Sequence, residues 1–289
     1  MSSGHSGRTG DVPDGKVKAL VDRAVRLAAG TDSAEEAWKS LFGRGDRVAV
    51  KVNTLSGKPV ATHPSVALAV VDGLISAGVE PGSIVVFDRQ EREMARAGFS
   101  LGELPSGARV AATDSAGFGY GRRIIKAGSV GSLFSRIVTD FATGIVDVPV
   151  LKDHDLAGVT LALKNFFGVI HNPNKYHDNL CDPFVADLFA CPYVGGLTRL
   201  VVMDALLSQV DGGPAYREDG AYPLAGVLAG TDAVAVDRVG WERIERLRAE
   251  LGFEPLEAVG RKPRHILTAG EKGLGVSDLS RIEVVEESI

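Results

Sequence analysis

The sequence has too few cysteines, too few basic residues and no long apolar stretch, and each shortage excludes a class of protein. Only Cys181 and Cys191 occur in 289 residues, so neither a disulfide framework nor a four-thiolate iron–sulfur cluster can form from this chain alone. Thirty-seven acidic residues outnumber 32 basic ones. This balance disfavours nucleic acid as a partner. No run approaches about 18 consecutive apolar residues, so no membrane-spanning helix is expected.

The beginning of the chain is polar and rich in serine and glycine from Met1 to Gly10, with no apolar segment behind it. No secretory signal is therefore predicted, and together with the two cysteines this favours a cytoplasmic protein. We expect residues 1–15 to form a flexible tail and residues 16–289 to form a single domain.

The remaining composition, 45% hydrophobic and 24% charged, is that of a globular protein. Short β-branched runs alternate with longer amphipathic segments, a pattern typical of βαβ units. We predict strands at 47–52, 83–88, 109–112, 144–150, 199–204 and 281–286, and helices at 16–29, from Ser33, 64–77, 183–190 and about 232–248. The expected fold is α/β, a mostly parallel sheet flanked by helices in one elaborated domain.

Polar side chains concentrate directly after the strand predicted to end near Val150. Residues 150–179 contain three of the six histidines and three lysines, namely His154, His171, His177, Lys152, Lys164 and Lys175. Ligands bind at the carboxyl ends of strands in open parallel sheets, so this segment is the first candidate for a site. Lys152 and His154 are two residues apart and share one face of an extended chain.

Lys164 is unusual because the surrounding residues, 159–167, are largely apolar. A lysine in such a run either extends to water or lies beside a ligand. Burial would lower its pKa and make the amine a base or a Schiff-base nucleophile. Gly158 and Gly168 bracket this segment, and we expect these two glycines to shape the site.

A second group of polar residues follows the strand at 47–52. Lys51 and Asn53 end that strand, and the loop after it leads to a helix whose amino end could hold an anion beside His63. A loop that simply leads into the helix is the alternative. The predicted substrate-binding residues are Lys51, Asn53, His63, Asn165, Asn172 and Lys175. The glycines at 117–121 lack the strand before and the helix after that a nucleotide loop requires, so no nucleotide cofactor is expected.

Five segments in this order resemble the uncharacterised family called domain of unknown function three-six-two: residues 48–53, 149–154, 158–168, 211–214 and 232–237. The resemblance extends from about Arg47 to about Arg248. Many members carry a ferredoxin-like module or a twin-arginine signal, and this sequence has neither. The family label implies no reaction.

A more remote resemblance is to the nickel-pincer lactate racemase family, in which a histidine is followed ten residues later by a lysine that anchors the cofactor. His154 and Lys164 have that spacing. This resemblance implies a tethered nickel cofactor, although Arg89, Gln90 and Glu91 stand where the racemase motif would follow the strand at 83–88.

These residues favour an enzyme of isomerase, racemase or lyase type that performs acid–base chemistry on a small anionic or carbonyl-bearing molecule. We expect His154 to transfer the proton with a near-neutral pKa, and Lys152 and Lys164 to stabilise negative charge. A divalent metal held by His171 and His177 is one option for a cofactor. The alternatives are a metal- or iron–sulfur-associated redox or binding protein without its own catalysis, and an interaction module. The sequence does not define the substrate or the oligomeric state.

Overall fold

The computed structural model describes residues 12–288 of the chain. Most of the predicted tail, residues 1–11, lies outside the described residues, and the first helix already begins at Asp14. The helices are α1 (Asp14–Ala29), α2 (Ala34–Leu41), α3 (Pro64–Ser76), α4 (Glu91–Arg96), α5 (Ala162–Asn165), α6 (Phe184–Phe189), α7 (Ala233–Glu250) and α8 (Arg264–Glu271). The strands are β1 (Val48–Val52), β2 (Ile84–Asp88), β3 (Gly102–Glu103), β4 (Arg109–Ala112), β5 (Ile125–Ala127), β6 (Val130–Ser132), β7 (Gly144–Val148), β8 (Val150–His154), β9 (Gly158–Val159), β10 (Thr198–Gln209), β11 (Ala221–Tyr222) and β12 (Gly226–Gly230).

Within residues 12–288 the main sheet has ten strands in the order β3-β4-β2-β1-β7-β10-β8-β9, with β11 and β12 also paired to β10. The six strands β4, β2, β1, β7, β10 and β8 run parallel, and the four short or peripheral strands run antiparallel. This arrangement confirms the predicted α/β class. No helix among the described residues is long and apolar enough to cross a membrane.

The strand predicted at 144–150 is divided at Pro149 into β7 and β8. Proline has no amide hydrogen and cannot donate to a ladder, so pairing is interrupted there. The Pro149 carbonyl still accepts a hydrogen bond from the Asp204 amide at 2.8 Å. Both strands therefore pair with the long strand β10, and β8 carries Lys152 and His154.

Both faces of the sheet are buried, and alternate residues of each strand enter different cores. Val48 and Val50 of β1 pack in the core that includes α1, α2 and α3, whereas Ala49 packs in the core that includes α5, α6, α7 and α8. Lys51 follows Ala49 on the second face, and Asp147 likewise follows Ile145. Polar side chains thus replace apolar ones on one face as the strands approach their carboxyl ends.

The prediction of a strand at 281–286 is wrong. Leu279–Arg281 is a turn of 3₁₀-helix, and the residues after it have no regular structure. Glu287 accepts hydrogen bonds from Arg23 and Arg26 of α1, and Glu286 pairs with Arg243 of α7. Ion pairs with helices therefore hold the C-terminal segment beside the domain instead of in the sheet.

A network of ion pairs formed by Arg248, Asp211 and Arg261 contacts β8 at Asp153. The Arg248 guanidinium, 1% exposed, donates to the Asp211 carboxylate at 3.0 Å. Arg261 bridges Asp211 at 2.8 Å and Asp153 at 3.0 Å. Asp153 lies between Lys152 and His154 on β8, so this network fixes the strand that carries both.

We expect Arg248→Met to lower the free energy of unfolding by about 2 kcal/mol, because the buried Val210 carbonyl loses a charged donor while Asp211 keeps Arg261 as a partner. Chemical denaturation measures the change. Arg246→Met on the same helix is the control, since that side chain is 63% exposed and its ion-pair partner within residues 12–288 is Glu242, at 3.3 Å. Equal stability of the two variants would contradict a structural role for the network.

Candidate functional site

A cavity of about 430 Å³ opens at the carboxyl ends of β1, β2 and β8. Its walls include three lysines, Lys51, Lys152 and Lys164, which come from three separate parts of the chain. Parallel strands place their carboxyl ends at one edge, which explains how residues a hundred positions apart meet here. The predicted residues Asn53, His154, Asn165 and His177 line the same cavity.

Lys51 is 1% exposed, and its ammonium group has an acceptor for each of its three hydrogens. Nζ lies 2.6 Å from the Val52 carbonyl, 3.1 Å from Asn165 Oδ1 and 2.8 Å from Asp88 Oδ1. Asp88 is itself fixed, because its Oδ2 accepts from the amide and hydroxyl of Thr54. Lys51 is therefore a paired and saturated cation.

Lys152, also 1% exposed, is saturated in a different way. Nζ donates to Asn53 Oδ1 at 2.8 Å, to Ser56 Oγ at 2.8 Å and to the Val60 carbonyl at 3.0 Å. All three acceptors are neutral. Burial lowers the pKa of Lys152 to about 7, and the charges of Asp88 and Asp153 offset that effect only in part.

Lys164 is 5% exposed and differs from the other two lysines in its hydrogen bonding. Within residues 12–288 the hydrogen-bond partner of Nζ is His177 Nε2, at 3.2 Å. The ammonium also lies 4.6 Å from the centre of the Phe167 ring. Burial lowers the pKa of Lys164 to about 8. Two of its three hydrogens thus remain for a ligand.

The tautomer of His177 follows from its other contact. Nδ1 lies 3.1 Å from the Pro173 carbonyl, which can only accept, so Nδ1 carries the hydrogen. Nε2 is then the acceptor for Lys164. Burial and the charge of Lys164 lower the pKa of His177, so the ring is neutral at pH 7.

His154 does not have the near-neutral pKa that its residue type suggests. Burial, followed by the charge of Lys164, lowers the pKa of His154 to about 2. Its Nδ1 accepts hydrogen bonds from the amides of Leu156 at 3.1 Å and Ala157 at 3.3 Å. An Nδ1 that accepts two amides cannot also donate to Asp155, despite the 3.0 Å separation of Nδ1 and Oδ1. His154 is a neutral ring that stacks on His177, with ring centres 5.7 Å apart.

Asn165 connects the lysines to the sheet. Its Oδ1 accepts from Lys51 Nζ and from Asn53 Nδ2, each at 3.1 Å, and its Nδ2 donates to Asp147 Oδ1 at 2.6 Å. Burial raises the pKa of Asp147 well above its ordinary value, and its Oδ2 has no hydrogen-bond partner among the described residues. The protonated acid is therefore favoured at this position.

The short helix α5, which carries Lys164 and Asn165, is held by Asp237 of α7. The Asp237 carboxylate accepts hydrogen bonds from the amides of Ala162 at 2.7 Å and Leu163 at 2.9 Å. These are first-turn amides that have no partner within the helix. Sequence reasoning missed this role because Asp237 is 75 positions away from Ala162.

Four predicted site residues lie elsewhere. His63 caps α3, where its Nδ1 accepts from the Ser65 amide at 3.3 Å. His171 is exposed and packs edge-on against Tyr120. Asn172 Oδ1 accepts from Ser132 at 2.6 Å, and Lys175 is exposed beside Tyr176. None of the four lines the cavity.

The predicted metal pair is not assembled, because His177 lines the cavity and His171 does not. Within residues 12–288 no group of three or more histidine, cysteine, aspartate or glutamate side chains is placed to hold a metal ion. Cys181 and Cys191 are buried, and burial raises the pKa of both thiols.

Of the two glycines expected to shape the site, Gly168 does so. A Cβ at this position would lie 2.7 Å from Asp88 Oδ1 and 2.8 Å from Lys51 Nζ, so only glycine allows the backbone to approach this ion pair. Gly158 packs against the Arg261 carbonyl instead and does not line the cavity.

Sequence reasoning also missed Arg89, Glu93 and Phe167, which line the cavity. Glu93 is 8% exposed, and burial with the nearby charge of Asp88 raises its pKa. Arg89 and Glu93 follow the end of β2, and the rule that placed Lys51 at a strand end would have found them there.

The fold is that of an α/β protein with a cavity at the carboxyl edge of a parallel sheet. The model of the family described as Domain of unknown function (DUF362) matches residues 48–242. The chain belongs to this family, as its resemblance implied.

No curated protein matches the chain. A crystal structure of a Thermotoga maritima protein from the Northeast Structural Genomics Consortium is similar, with a TM-score of 0.46 and 11% identity. The similarity covers 83% of this chain, and the chain spans 59% of the length of that protein. The likeness to lactate racemase is not shown by these comparisons.

We expect Asp237→Ala to lower the free energy of unfolding by about 3 kcal/mol, because two buried amides lose their acceptor. Asp237→Asn keeps one side-chain oxygen and should be less destabilised than the alanine variant. Chemical denaturation compares the three proteins. Wild-type stability in Asp237→Ala would show that α5 does not depend on this carboxylate.

The pKa of Lys164 is about 8 in the folded protein against an ordinary value of 10.5. The folded chain binds fewer protons than the unfolded chain between these values, so stability rises with pH across that window. At pH 7 we expect Lys164→Met to be more stable than wild type by about 2 kcal/mol, because a buried charge without a carboxylate partner is removed.

The free energies of unfolding of Lys164→Met and wild type, measured at pH 7 and pH 10, test this prediction. The difference between the two proteins should be smaller at pH 10. Lys126→Met, an exposed position, is the control and should change stability by less than about 0.5 kcal/mol. Destabilisation of Lys164→Met at pH 7 would contradict the burial of an uncompensated charge.

Proposed function

We propose that the protein is an enzyme of isomerase or lyase type that transfers protons on a small anionic or carbonyl-bearing organic molecule. The observation that carries this proposal is the pair formed by Lys164 and His177 on the wall of the cavity, with Nζ and Nε2 3.2 Å apart. One member is a buried cation with unused donors, and the other is a neutral base.

The pair divides the chemistry between its members. Lys164 points to an anionic or carbonyl oxygen as its ligand, because its two unused hydrogens require an acceptor. His177 accepts the proton that leaves the amine or the substrate, since Nε2 carries a lone pair. The lowered pKa of Lys164, about 8, brings that group closer to neutral pH, where proton transfer is efficient, and the lowered pKa of His177 keeps its ring neutral and able to accept a proton.

Lys51 and Lys152 support the reaction without contacting the substrate through their own hydrogens, which the protein already satisfies. Their charges are held in place before the substrate arrives. Fixed positive charge stabilises the negative charge that develops when a proton leaves carbon. Asp88 offsets part of the charge of Lys51, and Lys152 carries its full charge only below its pKa of about 7.

The role proposed for His154 differs from the proton transfer expected from the sequence. A ring whose pKa is about 2 does not exchange protons at neutral pH. Its stacking on His177 instead restricts the orientation of that ring. We therefore propose that His154 is a positioning residue and that Lys164 and His177 carry out the proton transfer.

Exchange of carbon-bound hydrogen for deuterium tests the proposal without a known substrate. The protein is incubated in D₂O with a panel of 2-hydroxy, 2-amino and 2-oxo carboxylates, and ¹H NMR follows the loss of each α-hydrogen signal. We expect accelerated exchange in at least one compound. His177→Gln and Lys164→Met should each reduce the exchange rate at least about 100-fold, the usual contribution of general acid–base catalysis.

Lys175→Met is the matched control, because this exposed lysine lies outside the cavity and its loss should leave the exchange rate unchanged. Absence of exchange throughout the panel, or exchange that survives in both cavity variants, would overturn the proposal.

A further inference from the structure

We propose that Lys164 forms a covalent imine with the carbonyl carbon of a small 2-oxo acid, and that Arg89 receives the carboxylate of that acid. The inference rests on the proposed function and deepens it by naming the substrate class and a covalent step. It follows from the geometry of two cations on the wall of one cavity.

Hydrogen-bond capacity selects Lys164 among the three buried lysines. A nucleophilic amine needs a lone pair directed at the substrate, and an ammonium held by three acceptors has none to offer. Lys51 and Lys152 are each held by three protein oxygens. Lys164 has one hydrogen-bond partner, which is a nitrogen base.

The surroundings of Lys164 favour the neutral amine that imine formation requires. Phe167 covers one side of the ammonium, and no carboxylate among residues 12–288 lies within 4.0 Å of it. Its lowered pKa agrees with this environment. His177 can take the proton without moving, because Nε2 already accepts a hydrogen bond from the amine.

Arg89 supplies the second half of the proposed recognition. Its side chain is 24% exposed, and within the described chain its ion-pair partner is Glu93, at a separation of 3.8 Å. No side-chain hydrogen bond occupies its guanidinium in that part of the chain. A planar guanidinium with free donors matches the two oxygens of a carboxylate.

The covalent step needs only Lys164, His177 and the 2-oxo acid. Lys164 loses a proton to His177, and its lone pair forms a C–N bond to the carbonyl carbon while the oxygen becomes a hydroxyl by taking a proton back. The nitrogen then gives a second proton to His177, which passes it to the hydroxyl, so the C–O bond breaks and water leaves. The product is a protonated imine, so one carbonyl and one ammonium give one iminium and one water. Hydrolysis reverses the sequence, and no oxidant or reductant is needed.

Reductive trapping tests the inference. Full-length protein is incubated with pyruvate and sodium cyanoborohydride, and intact mass spectrometry follows the adduct. We expect one adduct per chain, with the mass of pyruvate plus two hydrogens minus one water. Peptide mapping of the wild-type protein should place it on Lys164, which identifies the site without relying on a variant that must fold.

Two comparisons sharpen the result. Lys152 and Lys164 are the two cavity lysines without an ion-pair partner among residues 12–288, and Lys152 has the lower pKa, about 7. If the pKa alone determined which amine reacts, Lys152 would be labelled first. Selection by free hydrogen-bonding capacity predicts Lys164. Methyl pyruvate, which lacks the carboxylate, should label at least tenfold more slowly than pyruvate, and Arg89→Met should remove that preference.

Labelling spread over exposed lysines, labelling of Lys152 in preference to Lys164, or no adduct would overturn the inference. Its failure is distinguishable from failure of the proposed function. Deuterium exchange that depends on Lys164 and His177 without a trapped adduct would leave acid–base catalysis in place and remove the covalent step. A Lys164 adduct without exchange in any compound would remove the acid–base proposal.

Discussion

Burial of three lysine ammonium groups at one edge of the sheet is the constraint on which the rest of the structure depends. An ammonium group taken out of water needs an acceptor for each hydrogen or a compensating charge. The chain meets this requirement with a carboxylate and two other oxygens for Lys51, and with three neutral oxygens for Lys152. It leaves Lys164 incompletely satisfied, and that difference gives the cavity its proposed chemistry.

The surrounding scaffold serves to hold this arrangement. Asp237 fixes the helix that carries Lys164, and the Arg248 network fixes the strand that carries Lys152. Both supports come from the C-terminal part of the chain, at or near the ends of α7 and the turn after β10. The positions of Lys152 and Lys164 therefore depend on residues that do not line the cavity, and rigid placement is what a preorganised site requires.

The sequence predicted the parallel sheet and brought Lys51, Lys152 and Lys164 to one place, because strand ends in such sheets share an edge. Prediction from the sequence failed where the position of a side chain depended on contacts between distant segments. Asp237 binds amides 75 positions away, and the two amides that occupy His154 Nδ1 belong to a turn whose geometry no spacing rule describes. The number of acceptors around each lysine is likewise a tertiary property. His63 and Lys175 were misplaced because residue type alone does not distinguish a helix cap or an exposed side chain from a ligand-binding group.

The most direct test of this account is the titration of the individual lysines by NMR in protein labelled with ¹³C at lysine Cε, the Lys164 signal being identified by its loss in Lys164→Met. The account predicts that Lys164 titrates near pH 8 in the free protein. Its titration should move upward when an anionic ligand binds, because the ligand supplies the missing acceptor. A Lys164 signal that titrates near the ordinary lysine value of 10.5 in the free protein would contradict the central claim.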